Sequence, residues 1–217
     1  MTVEFDIVDL FPTPVAGVVL DYDFSDLNQF KDSALSAYKQ KITEIDKFRK
    51  IKKVDFYVLD RVPKIKKYLT SVTRDLLNRQ YRYKDKFVIN TSWLTKMPYE
   101  SIGIRHKHAG HPFSAVLYFG KYDKESAPLC FHSPVSIVNN YDLKAPESNH
   151  RAWEFFNFSP KENLLLIFPS YLEHEIGMNL SKSDRYSLAF NIYPVSVHNL
   201  GDSEVDIQKL VKQIDEY

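Results

Sequence analysis

Cysteine is almost missing from this chain: Cys130 is the one thiol in 217 residues. A lone thiol excludes an intrachain disulfide and points to a reducing compartment. Long apolar runs are missing as well. None reaches the roughly 18 residues of an ordinary membrane span. The N-terminal stretch MTVEFDIVDLFPTPVAGVVLDYD has early acidic residues and lacks the basic start and uninterrupted apolar segment of a secretory leader. The expectation is a cytoplasmic protein with no membrane association. There is no internal repeat and no low-complexity segment.

Net charge is close to zero, at +1, but it is unevenly spread. Residues 39–86 hold sixteen Lys or Arg against six Asp or Glu, so the remaining chain is acidic. The bland reading of this basic third is a pair of helices with solvated cationic faces. The sharper one is a contact surface for nucleic acid or an acidic protein. Composition is globular, 44% hydrophobic and 14% aromatic, and the length suits one sizeable domain.

Helical periodicity comes first in the chain. SDLNQFKDSALSAYKQKITEIDKF, from Ser25, places Leu27, Phe30, Ala34, Leu35, Tyr38, Ile42 and Ile45 near helical spacing, with Ser25 and Asp26 as candidate N-caps. VPKIKKYLTSVTRDLLNRQY predicts a second helix, with Pro63 in its first turn and Ile65, Leu69, Val72 and Leu76 recurring at three and four. After Lys86 the pattern changes to short β-branched and aromatic segments separated by Gly, Pro, Asn or Ser. These are FVINTSW, SIGIRHKH, FSAVLYFG, APLCFH, AWEFFNFS, NLLLIFP, LEHEIGM and RYSLAFNIYP. Eight strands following two helices predict an α+β, mainly β fold: a sandwich or barrel with the helices packed outside.

Three of the seven histidines fall within RHKHAGH. If SIGIRHKH is a strand, Ile102, Ile104, His106 and His108 share one face and Arg105 and Lys107 the other. His-x-His on a strand can place two nitrogens on one ion; by itself the pair is a weak signal. His111, beside Pro112, reads as a surface or supporting group. A third ligand has to come from far along the chain, and His174, after a hydrophobic strand and a Phe-Pro-Ser turn, is the candidate. Arg185 and Ser187 follow, two apart on a strand whose alternation also aligns Ala189 and Asn191. An Arg beside a hydroxyl and apolar residues suits bidentate capture of a carboxylate.

At these residues the chain resembles the Fe(II)- and 2-oxoglutarate-dependent oxygenases with the double-stranded β-helix fold, and in particular members found in phages and marine bacteria. The similarity runs over nearly the whole chain, through LFPTPV, SWL, HKHAGHPFSAVLYF, LLLIFPSYLEHEI and DRYSLAFNI. It implies a jelly-roll, cupin-like core with the N-terminal helices packed on one sheet. The expected layout is a single domain over 1–217, with an N-terminal strand and helices in 1–86, the β-helix core in 87–195 and a C-terminal extension in 196–217. The resemblance further implies that His106, His108 and His174 are the metal ligands and catalytic residues, and that Arg185 and Ser187 bind the far carboxylate of 2-oxoglutarate. The cofactors are then Fe(II) and 2-oxoglutarate, with O2 as the other cosubstrate. The activity is hydroxylation of a protein, peptide or small molecule with release of succinate and CO2, in the host cytoplasm if the chain is phage-encoded.

Two positions depart from the family pattern. His108 stands where many members carry Asp or Glu, and Ala115 replaces the glycine usual after Ser114. Three neutral imidazoles leave the ion at full charge until a dianion binds. Other classes also fit the residues. A zinc hydrolase or lyase could use the same histidines, although Arg185 and Ser187 then have no evident use. A cupin dioxygenase usually adds a Glu a few residues after His-x-His, which AGHPF lacks. The third alternative is a non-catalytic β-barrel interaction module. Tyr118, Phe119, Phe190, Trp93 and Trp153 read as core.

Overall fold

The computed structural model describes residues 9, 11–37, 49–54, 57–135, 153–198 and 201–214. Strand β1 (Ala16–Val19), helix α1 (Ser25–Ala37), strand β2 (Lys52–Val54) and helix α2 (Pro63–Asp75) precede the eight strands of the core. Those are β3 (Phe87–Met97), β4 (Gly103–His106), β5 (Phe113–Leu117), β6 (Leu129–His132), β7 (Phe155–Phe158), β8 (Leu164–Pro169), β9 (His174–Ile176) and β10 (Arg185–Pro194). A short hairpin, β11 (Val197–His198) with β12 (Val205–Asp206), and helix α3 (Ile207–Ile214) follow.

The strands form two antiparallel sheets. One has the order β1-β8-β5-β10-β3-β2 and the other β4-β9-β6-β7. From β3 onward the chain passes back and forth between them, which is the winding of a double-stranded β-helix. Period-two alternation explains how both faces of the larger sheet are covered. Its outer face carries Phe113, Ala115, Leu117, Leu165, Ile167, Leu188, Phe190 and Ile192, which cluster with Leu27 of α1 and Ile65 and Leu69 of α2. Its inner face carries Val116, Tyr118, Leu166 and Phe168, which meet Leu129 and Phe131 of the smaller sheet. Residues covered on both sides leave no reason for polar alternation, so β8 reads as an unbroken apolar run and β5 is interrupted only by the buried Ser114.

The helices follow their sequence signals with two adjustments. Pro63 sits in the first turn of α2, where its missing N–H costs nothing. Helix α1 begins at Ser25 itself, so the cap is supplied from upstream: Asp23 accepts hydrogen bonds from the Ser25 backbone N–H at 2.9 Å and hydroxyl at 3.0 Å. The predicted continuation of this helix over 38–48 lies outside the described residues. Within the described part of the basic segment, Lys66 pairs with Asp60 and Arg79 with Asp75. No helix among the described residues is long and apolar enough to cross a membrane.

Candidate active site

Strands β4 and β9 are antiparallel neighbours in the smaller sheet, and their register sets His106 directly opposite His174. This pairing brings together two imidazoles far apart in sequence. His108 joins them by another route. The strand expected to run through His108 ends at His106, and Ile104 within it is 37% exposed. His108 therefore lies past the strand end, where its backbone N–H donates to the Ser170 carbonyl at 3.0 Å. One potential ligand atom from each ring lies within 4.8 Å of the others, and the His106 and His108 Nε2 atoms are 3.3 Å apart. At Gly103, which opens β4, an added Cβ would meet the Ile176 Cβ at 3.0 Å, so glycine lets the two strands close up here.

Hydrogen bonding settles which nitrogen of each ring faces the others. The Nδ1 of His106 lies 2.8 Å from the Ile104 carbonyl, and that of His174 lies 2.9 Å from the Leu172 carbonyl. A carbonyl only accepts, so both Nδ1 atoms carry the hydrogen and each neutral ring keeps its lone pair on Nε2. For His108, Nδ1 is 2.9 Å from Asn191 Oδ1 and 2.8 Å from Ser114 Oγ. Ser114 donates to the same Asn191 oxygen, Ser170 supports Ser114 at 2.6 Å, and the Asn191 amide donates to Thr91 Oγ1 at 2.9 Å. That network also places the His108 hydrogen on Nδ1. Three Nε2 lone pairs thus converge, which is the donor set a divalent first-row ion takes. With metal–nitrogen bonds of roughly 2.1 Å, two adjacent ligands at a right angle sit about 3.0 Å apart, close to the observed spacing.

The histidines open onto a cavity of about 290 Å³. Trp93, Thr95, Val116, Phe168, Ser187 and Ala189 line it from the larger sheet, facing Leu129, Ile176 and the histidines. Trp93 was expected to be core; it meets the His108 ring edge-on at 5.3 Å and belongs to the cavity wall. Trp153 departs from the same expectation and is 37% exposed. Tyr118 is buried as expected but also carries polar chemistry, because its hydroxyl accepts from Arg185 Nη2 at 3.0 Å. Burial pushes the Tyr118 phenol up from its ordinary pKa, against the opposing pull of Arg185, so the hydroxyl keeps its proton.

Arg185 is 1% exposed. Its Nε donates to the Ala127 carbonyl at 2.8 Å and its Nη1 approaches Met97 Sδ at 3.5 Å. These partners and the Tyr118 hydroxyl are all neutral, and no acidic side chain among the described residues forms an ion pair with Arg185. A guanidinium buried without a counter-charge costs several kcal/mol, and an anionic ligand removes that cost. Ser187, two residues on, follows it on the same face of β10.

A second cation, Arg49, lines the cavity beside Ile51, and its buried Nε has no hydrogen-bond partner. In the sequence Arg49 is one basic residue among sixteen, with no motif to single it out. Ser114, Ser170 and Thr91 were not singled out either. His111 lies apart from the cluster, with its Nε2 3.1 Å from the Asn90 amide.

Residues 91–191 match the protein family described as "Putative 2OG-Fe(II) oxygenase". No curated protein matches the chain. Among solved structures, it is similar to an oxidoreductase of the 2OG-Fe(II) oxygenase family from Burkholderia pseudomallei, at 13% identity over 82% of this chain and 84% of that one, with a TM-score of 0.57. HygX from Streptomyces hygroscopicus, solved with nickel, 2-oxoglutarate and hygromycin B bound, aligns at 12% identity over 84% and 83%, with a TM-score of 0.56. A prolyl hydroxylase from Trichoplax adhaerens, in complex with a hypoxia inducible factor peptide fragment, aligns at 16% identity over 82% and 83%, with a TM-score of 0.55. At these identities the structural likeness establishes the shared fold, and the match to the 2OG-Fe(II) oxygenase family covers a little under half of the chain, from within β3 to Asn191 of β10.

Proposed function

We propose that His106, His108 and His174 hold the Fe(II) of a 2-oxoglutarate-dependent dioxygenase and that Arg185 and Ser187 take the distal carboxylate of the cosubstrate. The reaction hydroxylates a primary substrate and releases succinate and CO2. The observation that carries this reading is the convergence of three Nε2 lone pairs in a fold that also buries Arg185 against the Ala127 carbonyl, Met97 and the Tyr118 hydroxyl, all neutral. Bound iron supplies the oxygen activation and the redox chemistry, and the protein supplies binding and orientation.

The division of labour follows from the side chains. Three neutral imidazoles leave the ion's double positive charge uncompensated, and dianionic 2-oxoglutarate restores neutrality. Arg185 presents a rigid fork of donors that fits a carboxylate, with the Tyr118 hydroxyl bonded to it and Ser187 two residues on along the same strand face. Phe131 and Phe168 pack against the His174 ring with centroids 5.8 and 5.0 Å away, which keeps water from that ligand. The zinc reading uses the same three rings and leaves Arg185 without a task.

Arg49 and Trp93 form the substrate side of this reading. The cavity lies at the lower end of the roughly 300–1,000 Å³ common for ligand pockets. It suits 2-oxoglutarate together with the reacting end of a peptide side chain or a small molecule. The Arg49 guanidinium favours a substrate with an anionic group or a strong acceptor near the reacting carbon. The single buried thiol supports a reducing, cytoplasmic setting.

Anaerobic reconstitution with Fe(II), followed by admission of O2 and 2-oxoglutarate, tests the function. Succinate forms in proportion to 2-oxoglutarate consumed, and the His106→Ala and His174→Ala proteins form none. Hydrolytic or hydration activity with zinc, and no succinate with iron, overturns the proposal.

A further inference from the structure

We propose a second metal site, separate from the histidine cavity, in which Cys130, His132 and Glu175 hold a borderline-soft divalent cation of the zinc type. Cys130 and His132 are two apart on β6 and so share a face. The β6–β9 register places Cys130 directly opposite Glu175. Phe131, between the two β6 ligands, belongs to the opposite face, where it packs in the inner cluster and against His174. The trio therefore occupies the outer face of the smaller sheet, behind the strands that carry the inner site.

The distances suit an ion. His132 Nε2 lies 3.4 Å from Glu175 Oε1 and 3.9 Å from Cys130 Sγ, and all three donor atoms fall within 4.8 Å of one another. Tetrahedral zinc, with bonds of roughly 2.3 Å to sulfur and 2.05 Å to nitrogen or oxygen, sets ligand spacings of about 3.3 Å for N···O and 3.6 Å for N···S. The two His132 spacings agree with these to within a few tenths of an ångström, side-chain adjustment brings the third pair to its ligand distance, and water fills the fourth position. Cys130 is 9% exposed and held in the sheet.

Charge separates this site from the inner one. A thiolate and a carboxylate neutralise a divalent ion completely, whereas three imidazoles do not. Thiolate also selects zinc over ferrous iron. The nearby cation Arg105 is occupied by Glu173, at 2.7 Å through Nε and 2.5 Å through Nη2. Burial, and then the charge of Glu175, push the Cys130 thiol up from its usual pKa, so it is protonated in the ion-free protein. Binding forms the metal–sulfur bond and releases that proton to solvent. An ion here ties β6 to β9 at the residue next to His174 and steadies the strand that presents it.

Cobalt(II) is the probe, because a thiolate ligand gives it a near-ultraviolet charge-transfer band that nitrogen and oxygen ligands do not. The metal-free His106→Ala/His174→Ala protein, titrated with Co(II) and then displaced with Zn(II), shows this band and binds one stoichiometric ion. Cys130→Ser abolishes the band, and His132→Ala and Glu175→Gln weaken binding. If the double variant does not fold, wild-type protein and Cys130→Ser are compared directly, and the variant binds one Zn(II) fewer. Absence of the band, or Zn(II) stoichiometry indifferent to Cys130, overturns the proposal and leaves a His132–Glu175 contact beside a buried thiol.

Discussion

The Nε2 atoms of His106 and His108 stand 3.3 Å apart, and each ring directs its Nδ1 hydrogen away, to the Ile104 carbonyl and to Asn191 with Ser114. In their neutral forms the rings turn lone pairs toward one another, an arrangement that a cation relieves. Ferrous iron is therefore expected to stabilise the fold. At a free concentration of about one hundred times Kd it adds roughly 2.7 kcal/mol, which raises Tm by about 5–10 °C for a chain of this size. Anaerobic thermal melts measure this. The shift disappears in His106→Ala and His174→Ala, and neither variant retains stoichiometric iron by elemental analysis.

Arg185 is buried among neutral partners, so it is expected to bind the distal carboxylate of 2-oxoglutarate. Arg185→Ala weakens 2-oxoglutarate by about 2–5 kcal/mol, as for truncation of one member of a desolvated charge pair. Tyr118→Phe costs about 0.5–1.5 kcal/mol, the range for one ordinary hydrogen bond. Calorimetry on metal-loaded protein reads both. Unchanged affinity in Arg185→Ala removes this residue from the site.

Asn191 and Ser114 orient His108 without belonging to the converging donor set. Asn191→Ala is expected to lower metal affinity by roughly 10–100-fold, as for loss of a partner that aligns a histidine ligand. His108→Asp retains iron, because the carboxylate offers an anionic donor in place of a neutral one. Competition with a chromophoric chelator measures both. If Asn191→Ala binds iron as wild type does, His108 is not held for the metal by this network.

Arg49 serves the primary substrate in the proposed reading, so Arg49→Gln leaves 2-oxoglutarate affinity unchanged in calorimetry. A panel of small carboxylate- and phosphate-bearing compounds is then screened for stimulation of succinate release by the wild type. Compounds that stimulate the wild type lose their effect on Arg49→Gln. A fall in cosubstrate affinity would instead assign Arg49 to 2-oxoglutarate.

Asp123 steadies the loop that leads to the Ala127 carbonyl, the acceptor for Arg185. Its carboxylate accepts from the Ser181 hydroxyl at 2.7 Å, the Glu125 N–H at 2.9 Å and the Ser126 hydroxyl at 3.2 Å. The Ser181 hydrogen bond is the chief cause holding its pKa below the ordinary value. A carboxyl depressed in the folded state contributes stability above its unfolded pKa, about 3.9, and loses it as pH falls through the lower folded value. Asp123→Asn should therefore melt earlier than wild type near neutral pH and converge with it at strongly acid pH. Parallel melting curves at all pH values contradict this role.

The β-rich second part was legible because short β-branched and aromatic runs between breakers are a local signal. All eight expected segments contain a core strand. The length of the strand that carries His106 was not legible. SIGIRHKH alternates cleanly, yet pairing stops at His106, because β9 is only three residues long and His108 bonds instead to Ser170. Strand β2 was not foreseen within the lysine-rich stretch at its position; Lys is a common residue on sheet edges. Trp93 read as core because its composition is apolar, and only the cavity distinguishes it from a buried residue. The links from Asn191 to His108 and from Tyr118 to Arg185 join residues tens of positions apart and leave no trace in local spacing.

The sequence by itself determined the class of fold and the candidate chemistry. Period-two and helical patterns are encoded by neighbouring residues, and the order of His-x-His, distal His and Arg-x-Ser carries the family likeness. Only the tertiary structure decided that His106 and His174 face each other and that Arg185 is buried against the neutral Ala127 carbonyl, Met97 and Tyr118 hydroxyl. It also decided that Cys130, His132 and Glu175 share one outer face. Each of these depends on which strands pair and in which register, and that choice is made by the hydrophobic faces of the whole sandwich closing on one another.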